Sequence, residues 1–407
     1  MRRGFGGLLA ATVIGGLVAY FITWLVPRST GFADYTPFAV FWGFLFLSVA
    51  ALSGVQQELT RASRPVAAGE TSHLRVALTF GARVAVGVFV LFAATSPLWS
   101  TAVFGENTAL VWPLATGAAT YVLVAVTGGV LYGLRLWRGL FWLITVEALA
   151  RVITVSLALA LSGDVLVLAW SVAIPFPTAV ICLLIYVRRN VVGKAVLDVS
   201  ARGLTWNVAR TVVASASMGA LISGLPLLIS LTSSTVPSAV LGLVIITMTL
   251  TRAPLTVVLM AFQSYLIVLF QSAGAKASML LLRLCLAILG VGALLTVLGY
   301  ALGPPVFAFL FPGESVPSAS LIAAMVGSSA VLGLLCATSP ALLARSNHAG
   351  HSLGWLAAAL GTVTCLLVPG EFESRVVIAL FVGPAIGLVL HVILLLRGTT
   401  RSPANDS

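Results

Sequence analysis

Four ionisable residues stand deep inside stretches of sequence otherwise made of Leu, Val, Ala and Ile: Arg83, Glu147, Arg151 and Arg252. An ionisable group at membrane depth is costly, so it normally faces a cavity or a partner. Guanidinium groups match phosphate oxygens two at a time, so arginines in such places suit an anionic, phosphate-bearing ligand. Arg83, Arg151 and Arg252 are therefore the candidate substrate-binding residues of a cavity. Glu147 and Arg151 stand one helical turn apart, at i and i+4. Either the two simply neutralise each other, or Glu147 tunes Arg151 or takes up a proton or sodium ion for coupling. Arg283 lies only a few residues into its span, where its stem can reach the headgroups, and it is given no role.

Other polar residues carry weaker signals. Gln56, Gln57, Glu58 and Arg61 close an apolar stretch. They either meet a ligand headgroup at a cytoplasmic mouth (Gln57, Glu58, Arg61) or simply end a helix in the interface, the plainer reading. His348 and His351, three apart, read as a solvated pair in a turn. Cys182, Cys285, Cys336 and Cys365 lie in apolar segments and read as small hydrophobes without metal-ligand spacing. No phosphate-binding Gly-x-x-x-x-Gly-Lys and no nucleophile–base pair emerges, and the connecting loops are short. The expectation is a protein that is not an enzyme and has no cofactor, with a proton or sodium ion as a candidate for coupling.

The elements that hold these residues follow from composition. Of 407 residues 60% are hydrophobic and only 8% charged, far below the quarter or so that is charged in soluble domains. Long apolar runs in lipid must be helices, because every backbone group has to be satisfied internally. The runs predict about twelve transmembrane helices, near 5–26, 36–57, 76–98, 108–132, 139–162, 164–187, 211–231, 236–268, 279–302, 318–343, 350–369 and 374–396. The first reads as a retained helix and not a signal peptide. With the N-terminus placed in the cytoplasm, sixteen Arg and Lys fall on that side and only Arg28 and Arg375 outside. That bias obeys the positive-inside rule. It predicts a multi-pass protein of the inner (plasma) membrane with both termini cytoplasmic. The net charge of +11 then reflects topology and anionic lipid, with no nucleic acid implied.

The longest polar stretch, 188–210, divides the helices six and six. Its basic residues interleaved with Val196, Leu197 and Trp206 suit a cytoplasmic interfacial linker helix. The expected layout is a six-helix lobe at 1–187, that linker, a second six-helix lobe at 211–396 and a cytoplasmic tail at 397–407. An internal echo supports a repeat: Gly105-Glu106 and Gly313-Glu314 precede one span in each half, Arg135 and Arg345 follow it, and Trp142 and Trp355 come early in the next. Lobes with an even helix count enter the membrane from the same side. The fold class expected is therefore an all-α integral membrane protein, two parallel six-helix lobes around a central cavity, an architecture suited to alternating access. Pro254, and Pro175 with Pro177, predict bends in two helices.

In this order, the Gly31-Phe32-Ala33-Asp34-Tyr35 turn, the Gln56-Gln57-Glu58-Leu59-Thr60-Arg61 helix ending, the two Gly-Glu turns and the Arg-bearing hinges, the chain resembles the multidrug/oligosaccharidyl-lipid/polysaccharide (MOP) exporter superfamily, most of all its polysaccharide flippase branch. The resemblance implies translocation of a polyprenyl-(pyro)phosphate-linked saccharide for cell-envelope polysaccharide synthesis. Its implied partners are that substrate, membrane lipids and glycosyltransferases or a polymerase of the same pathway. Twelve helices leave no room for the two extra ones common among the lipid II flippases, which weakens a peptidoglycan-precursor assignment. The alternatives are a drug or cation antiporter of the same superfamily and a non-transporting scaffold for glycan-assembly enzymes.

Overall fold

The computed structural model describes residues 2–66, 74–192, 194–197 and 201–399. His73 and the tail from residue 400 lie outside them. The chain is helical as expected. The first helical stretch, Arg2–Ala62, is two helices meeting at Gly31, whose φ of 79° and ψ of 164° break the spiral. Only glycine takes that conformation without steric cost. We number the halves α1 (2–30) and α2 (32–62). There follow α3 (Leu74–Phe104), α4 (Val111–Gly133), α5 (Trp137–Leu161) and α6 (Val165–Asn190). Helix α7 is a pair, Ala201–Ile222 and Leu225–Leu231, bent by 74°. The remaining helices are α8 (Ser238–Ala273), α9 (Ala277–Leu310), α10 (Ala319–Ala344), α11 (His348–Leu367) and α12 (Phe372–Thr399). With α1 and α2 counted apart and α7 as one bent span, twelve helices stand among the described residues where the apolar runs placed them. Pro175 opens a helix after a turn at Ile174, whereas α8 runs on through Pro254 as one helix.

The stretch 188–210 departs from the expectation of one interfacial helix. Helix α6 runs on to Asn190, and Ala195–Leu197 form a short strand, β2, before α7 begins at Ala201. Strand β2 pairs antiparallel with β1 (Ser63–Pro65), Arg64 opposite Val196. Ala195, Val196 and Leu197 are all buried. Val196 and Leu197, two of the apolar residues that suggested a face lying on lipid headgroups, are instead covered by protein, while the third, Trp206 on α7, is exposed.

The chain packs as two compact units, Met1–Leu231 and Thr232–Ser407. In the first, α7 lies on α2 with almost no space between backbones. A Cβ on Gly54 would meet Val212 N at 2.6 Å, and one on Gly219 would meet Ala50 Cβ at 2.5 Å. Thr211 Oγ1 donates to the Gly54 carbonyl at 3.0 Å. Small residues are what permit such approach between membrane helices. In the second unit, Leu266, Phe270, Leu342 and Leu395 join α8, α10 and α12 in one apolar core.

The internal echo reaches the backbone. The turn after α4 puts Arg135 at φ 56°, and the turn after α10 puts Ser346 at φ 56°. In the first, Leu136 N donates to Leu131 O at 2.8 Å and Arg135 N to Tyr132 O at 3.0 Å. In the second, Asn347 N donates to Leu342 O at 3.0 Å and Ser346 N to Leu343 O at 2.9 Å. Both are left-handed helix ends of the same kind. The structural counterpart of Arg135 is therefore Ser346, one residue beyond Arg345. Ahead of those helices, Gly105 and Gly313 both have positive φ, 58° and 86°.

Candidate functional site

Helix α5 carries the charged pair. Glu147 and Arg151 face the same side and form an ion pair within the helix. Arg151 is 6% exposed. Its guanidinium lies 5.2 Å from the ring centre of Phe46 on α2 and 5.1 Å from that of Phe176 on α6. Tyr121 of α4 meets Phe176 edge-on at 5.4 Å. Three arrangements thus hold one cation: a carboxylate one turn away and two aromatic faces whose quadrupoles attract it. Arg151 Nε is buried without a hydrogen-bond partner, so the pair does not use all its donors. One turn further, Thr154 Oγ1 donates to Ser171 O at 2.6 Å and ties α5 to α6. The carboxylate of Glu147 keeps more exposure than the cation it balances. The sequence showed the pair through its spacing. It gave no sign of Phe46 or Phe176.

Arg83 stands differently. Its side chain is exposed. Two residues earlier, Gly81 fits against α4, where an added Cβ would meet Val126 Cγ2 at 2.7 Å. Two residues turn a helix by roughly 200°, so Arg83 faces away from α4. Arg252 is on α8 in the second unit and is 6% exposed. The carbonyl of the preceding Thr251 accepts from Ser329 Oγ of α10 at 3.4 Å. Of the three candidate arginines, two are buried and one is exposed.

Gln57, Glu58 and Arg61 do more than end a helix. Glu58 is 4% exposed, held by Arg61 Nε at 3.0 Å and Nη2 at 2.6 Å. Asn207 Nδ2 of α7 donates to the same carboxylate at 2.8 Å. Gln57 Nε2 donates to Ser215 Oγ of α7 at 3.2 Å. The group fastens α2 to α7, with Arg61 itself exposed.

In the second unit a cluster appears that the sequence did not announce. His391 on α12 is wholly buried. Its Nδ1 lies 2.9 Å from Thr338 Oγ1 on α10, and its Nε2 3.2 Å from the backbone carbonyl of His351 on α11. His351 Nδ1 lies 2.5 Å from Ser339 Oγ, which also accepts from Trp355 Nε1 at 2.9 Å. The two imidazoles stack with centres 6.4 Å apart. His351 is therefore not half of a solvated turn pair: it lies in the first turns of α11 and is partly buried, and only His348 is exposed. The tryptophan echo also splits, since Trp355 is buried while Trp142 is 47% exposed. Among the described residues no group of three His, Cys, Asp or Glu could hold a metal ion.

No family model matches the chain. Curated relatives do. The uncharacterized protein Rv3630 of Mycobacterium tuberculosis is 30% identical over 395 residues, 95% of this chain and 90% of that protein. The uncharacterized protein Rv1510 of the same organism is 31% identical over 398 residues, with the same shares. This chain belongs to their family. Among solved structures it is similar to an inward-facing multidrug resistance MATE family transporter of the MOP superfamily, at TM-score 0.64 and 13% identity, over 97% of this chain and 96% of that one. It is similar to an outward-facing one at TM-score 0.62, 13% identity, and 98% and 97% coverage. A MOP superfamily transporter from Pyrococcus furiosus matches at TM-score 0.62, 16% identity, and 98% and 95% coverage. At such identities the likeness establishes the fold. The chain thus has the fold of these twelve-helix MOP superfamily transporters and is a multi-pass membrane protein.

Proposed function

We propose that this chain is an inner-membrane flippase that carries a polyprenyl-(pyro)phosphate-linked saccharide by alternating access, with both termini in the cytoplasm. The observation that carries the reading is the seat of Arg151, a buried guanidinium held between two ring faces and a carboxylate that is itself more accessible. A phosphodiester offers the same paired oxygens as Glu147, and a pyrophosphate diester does so with a second negative charge, so either can take the carboxylate's place on Arg151. The released Glu147 is then free to accept a proton or sodium ion. Loading of substrate and loading of the coupling ion become linked events at one pair. Arg252, buried in the other unit, is a second phosphate-binding candidate and exposed Arg83 a third. The polyprenyl tail stays in the bilayer throughout. The fold's similarity to both inward- and outward-facing transporters supports the alternating-access part.

A drug or cation antiporter of the same superfamily is the second reading, and the multidrug resistance transporters among the fold neighbours favour it. An organic cation calls for acids in its pocket. Here Glu147 is already matched by Arg151, which favours an anionic cargo. The Pyrococcus furiosus neighbour, for which reverse polarity of the binding pocket suggests a different function, supports the idea that this fold changes cargo by changing charge. A scaffold for glycan-assembly enzymes would leave the buried charges dispensable.

The test is Arg151→Ala with Arg252→Ala, assayed for translocation of a lipid-linked sugar in reconstituted vesicles. Loss of translocation with normal expression supports the flippase. A wild-type rate removes it. Drug-driven proton exchange by the wild type, abolished in Glu147→Gln, would establish the antiporter instead.

A further inference from the structure

Among the described residues His391 is the one histidine buried completely, and both of its ring nitrogens have a polar partner. A backbone carbonyl can only accept, so the 3.2 Å contact with His351 O places a hydrogen on Nε2. That leaves Nδ1 as the basic atom, 2.9 Å from Thr338 Oγ1. The Thr338 hydroxyl has further acceptors within reach, Leu334 O at 3.1 Å and Leu335 O at 3.0 Å. In the neutral ring Thr338 donates to Nδ1. When Nδ1 gains a proton it donates to Oγ1, and the hydroxyl hydrogen swings to Leu334 O or Leu335 O. Both states keep every hydrogen bond satisfied, with no heavy atom displaced.

Access to this ring is graded. His348 is exposed at the start of α11, His351 one turn on is partly buried, and His391 behind it is buried. His351 also has a hydroxyl partner: Ser339 Oγ, which accepts from Trp355 Nε1, lies 2.5 Å from its Nδ1 and can donate to it or accept from it. The space for the inner imidazole is made by Gly354, where any Cβ would overlap the ring of His391. The basic groups on the elements that form the cluster include Arg345 in the turn after α10, which donates to Leu395 O of α12 at 2.6 Å, His348 on α11 and Arg397 on α12; Cys336 on α10 and Cys365 on α11 are the thiols there. Helices α10 and α11 contain no acid, and those near α12, Glu371 and Glu373, stand at its opposite end. Two stacked imidazolium rings would repel, so the pair takes one proton between them.

We propose that His351 and His391, with Thr338 and Ser339 as hydroxyl partners, form a proton-binding site of the second unit, loaded from the α10–α11 turn through His348. A histidine chain of decreasing exposure is the arrangement that membrane proteins use to move protons. The site belongs to the second unit and the Glu147–Arg151 pair to the first, and the proposal does not depend on what is carried.

The experiment is a pH titration of the full-length protein, labelled with 15N-histidine and held in lipid nanodiscs, followed by NMR. Single variants His348→Gln and His351→Gln assign the signals. At high pH His391 should give the neutral Nε2–H tautomer, and on acidification across about pH 8 to 5 it or His351 should convert to the doubly protonated form. In Thr338→Val, which keeps the shape but removes the hydroxyl, the His391 midpoint should fall by about one pH unit, a tenfold loss of proton affinity, with His348 unmoved. The proposal is overturned if both rings stay neutral over that range in the wild type, which needs no variant to fold. It is overturned equally if Thr338→Val leaves the His391 midpoint where it was.

Discussion

Gly354 on α11 leaves the volume that the imidazole of His391 on α12 occupies, so neither residue can be changed without the other noticing. A Cβ at 354 would overlap the ring, and a Cβ at Gly387 on the same helix as His391 would come within 2.5 Å of the Gly354 carbonyl. Overpacking at such a site costs about 1–3 kcal/mol. Gly354→Ala should therefore lower the thermal unfolding midpoint of the purified protein by several degrees. Gly354→Ala with His391→Ala should recover part of that loss, because the smaller side chain vacates the space. No recovery in the double variant would mean that the helix backbones alone set this contact.

The Glu58 carboxylate makes a second prediction. It is buried and held by Arg61 on its own helix and Asn207 on α7. Removing one partner leaves a desolvated charge under-satisfied, at roughly 1–3 kcal/mol. Asn207→Leu should destabilise the first unit, and Glu58→Ala should destabilise it too. A double-mutant cycle between the two should give a coupling energy on the order of 1 kcal/mol. Additive effects in that cycle would show that α2 and α7 are held by their small-residue contact and not by this bond.

How much of this could be read from the chain depended on distance along it. The spans were legible because lipid admits little except long apolar helices, and Gly31 marked the α1–α2 break. The Glu147–Arg151 pair was legible because helical periodicity alone brings i and i+4 together. Asn207 and Glu58 are 149 residues apart, and Thr338 and His391 are 53 apart. No local pattern forecasts such pairings. The stretch 188–210 misled for the same reason: Val196 and Leu197 beside arginines suit a membrane surface, and only the distant strand at 63–65 makes them a buried ladder. The glycines offered a signal that composition hides. Gly54, Gly219 and Gly354 are ordinary small residues until the helix lying against each is known.

Gly54 gives the third prediction. An added Cβ would lie 2.6 Å from Val212 N and 2.7 Å from Thr211 C. These are backbone atoms and have no rotamer by which to escape, so α7 as a whole must move. Gly54→Ala should lower stability by about 1–3 kcal/mol, and Gly54→Leu should detach α7 and expose it to protease. Gly6, with no neighbour near its Cβ position, supplies the control: Gly6→Ala should change neither. Equal protease sensitivity of the two alanine variants would refute the tight α2–α7 contact.

The sharpest prediction concerns Arg151, because charge and geometry can be separated there. Arg151→Lys keeps the positive charge but loses the planar group that spans Phe46, Phe176 and the Glu147 carboxylate at once. If Arg151 holds a phosphate by its paired donors, translocation of a lipid-linked sugar should fall by roughly tenfold or more in Arg151→Lys, since loss of one charge-assisted hydrogen bond costs about 1.5–3 kcal/mol. Arg151→Ala should be worse still, because it leaves Glu147 without its cation in a low-dielectric setting. Glu147→Gln should act in the opposite sense on binding. With no carboxylate to displace, Arg151 is free for the ligand, so the pyrophosphate headgroup should bind more tightly while turnover drops for want of the coupling group. Measured by titrating a soluble polyprenyl-pyrophosphate analogue into the nanodisc-embedded protein, tighter binding in Glu147→Gln together with weaker binding in Arg151→Lys is the expected pair of results. Weaker binding in both would mean that Glu147 and Arg151 serve only to neutralise one another within α5.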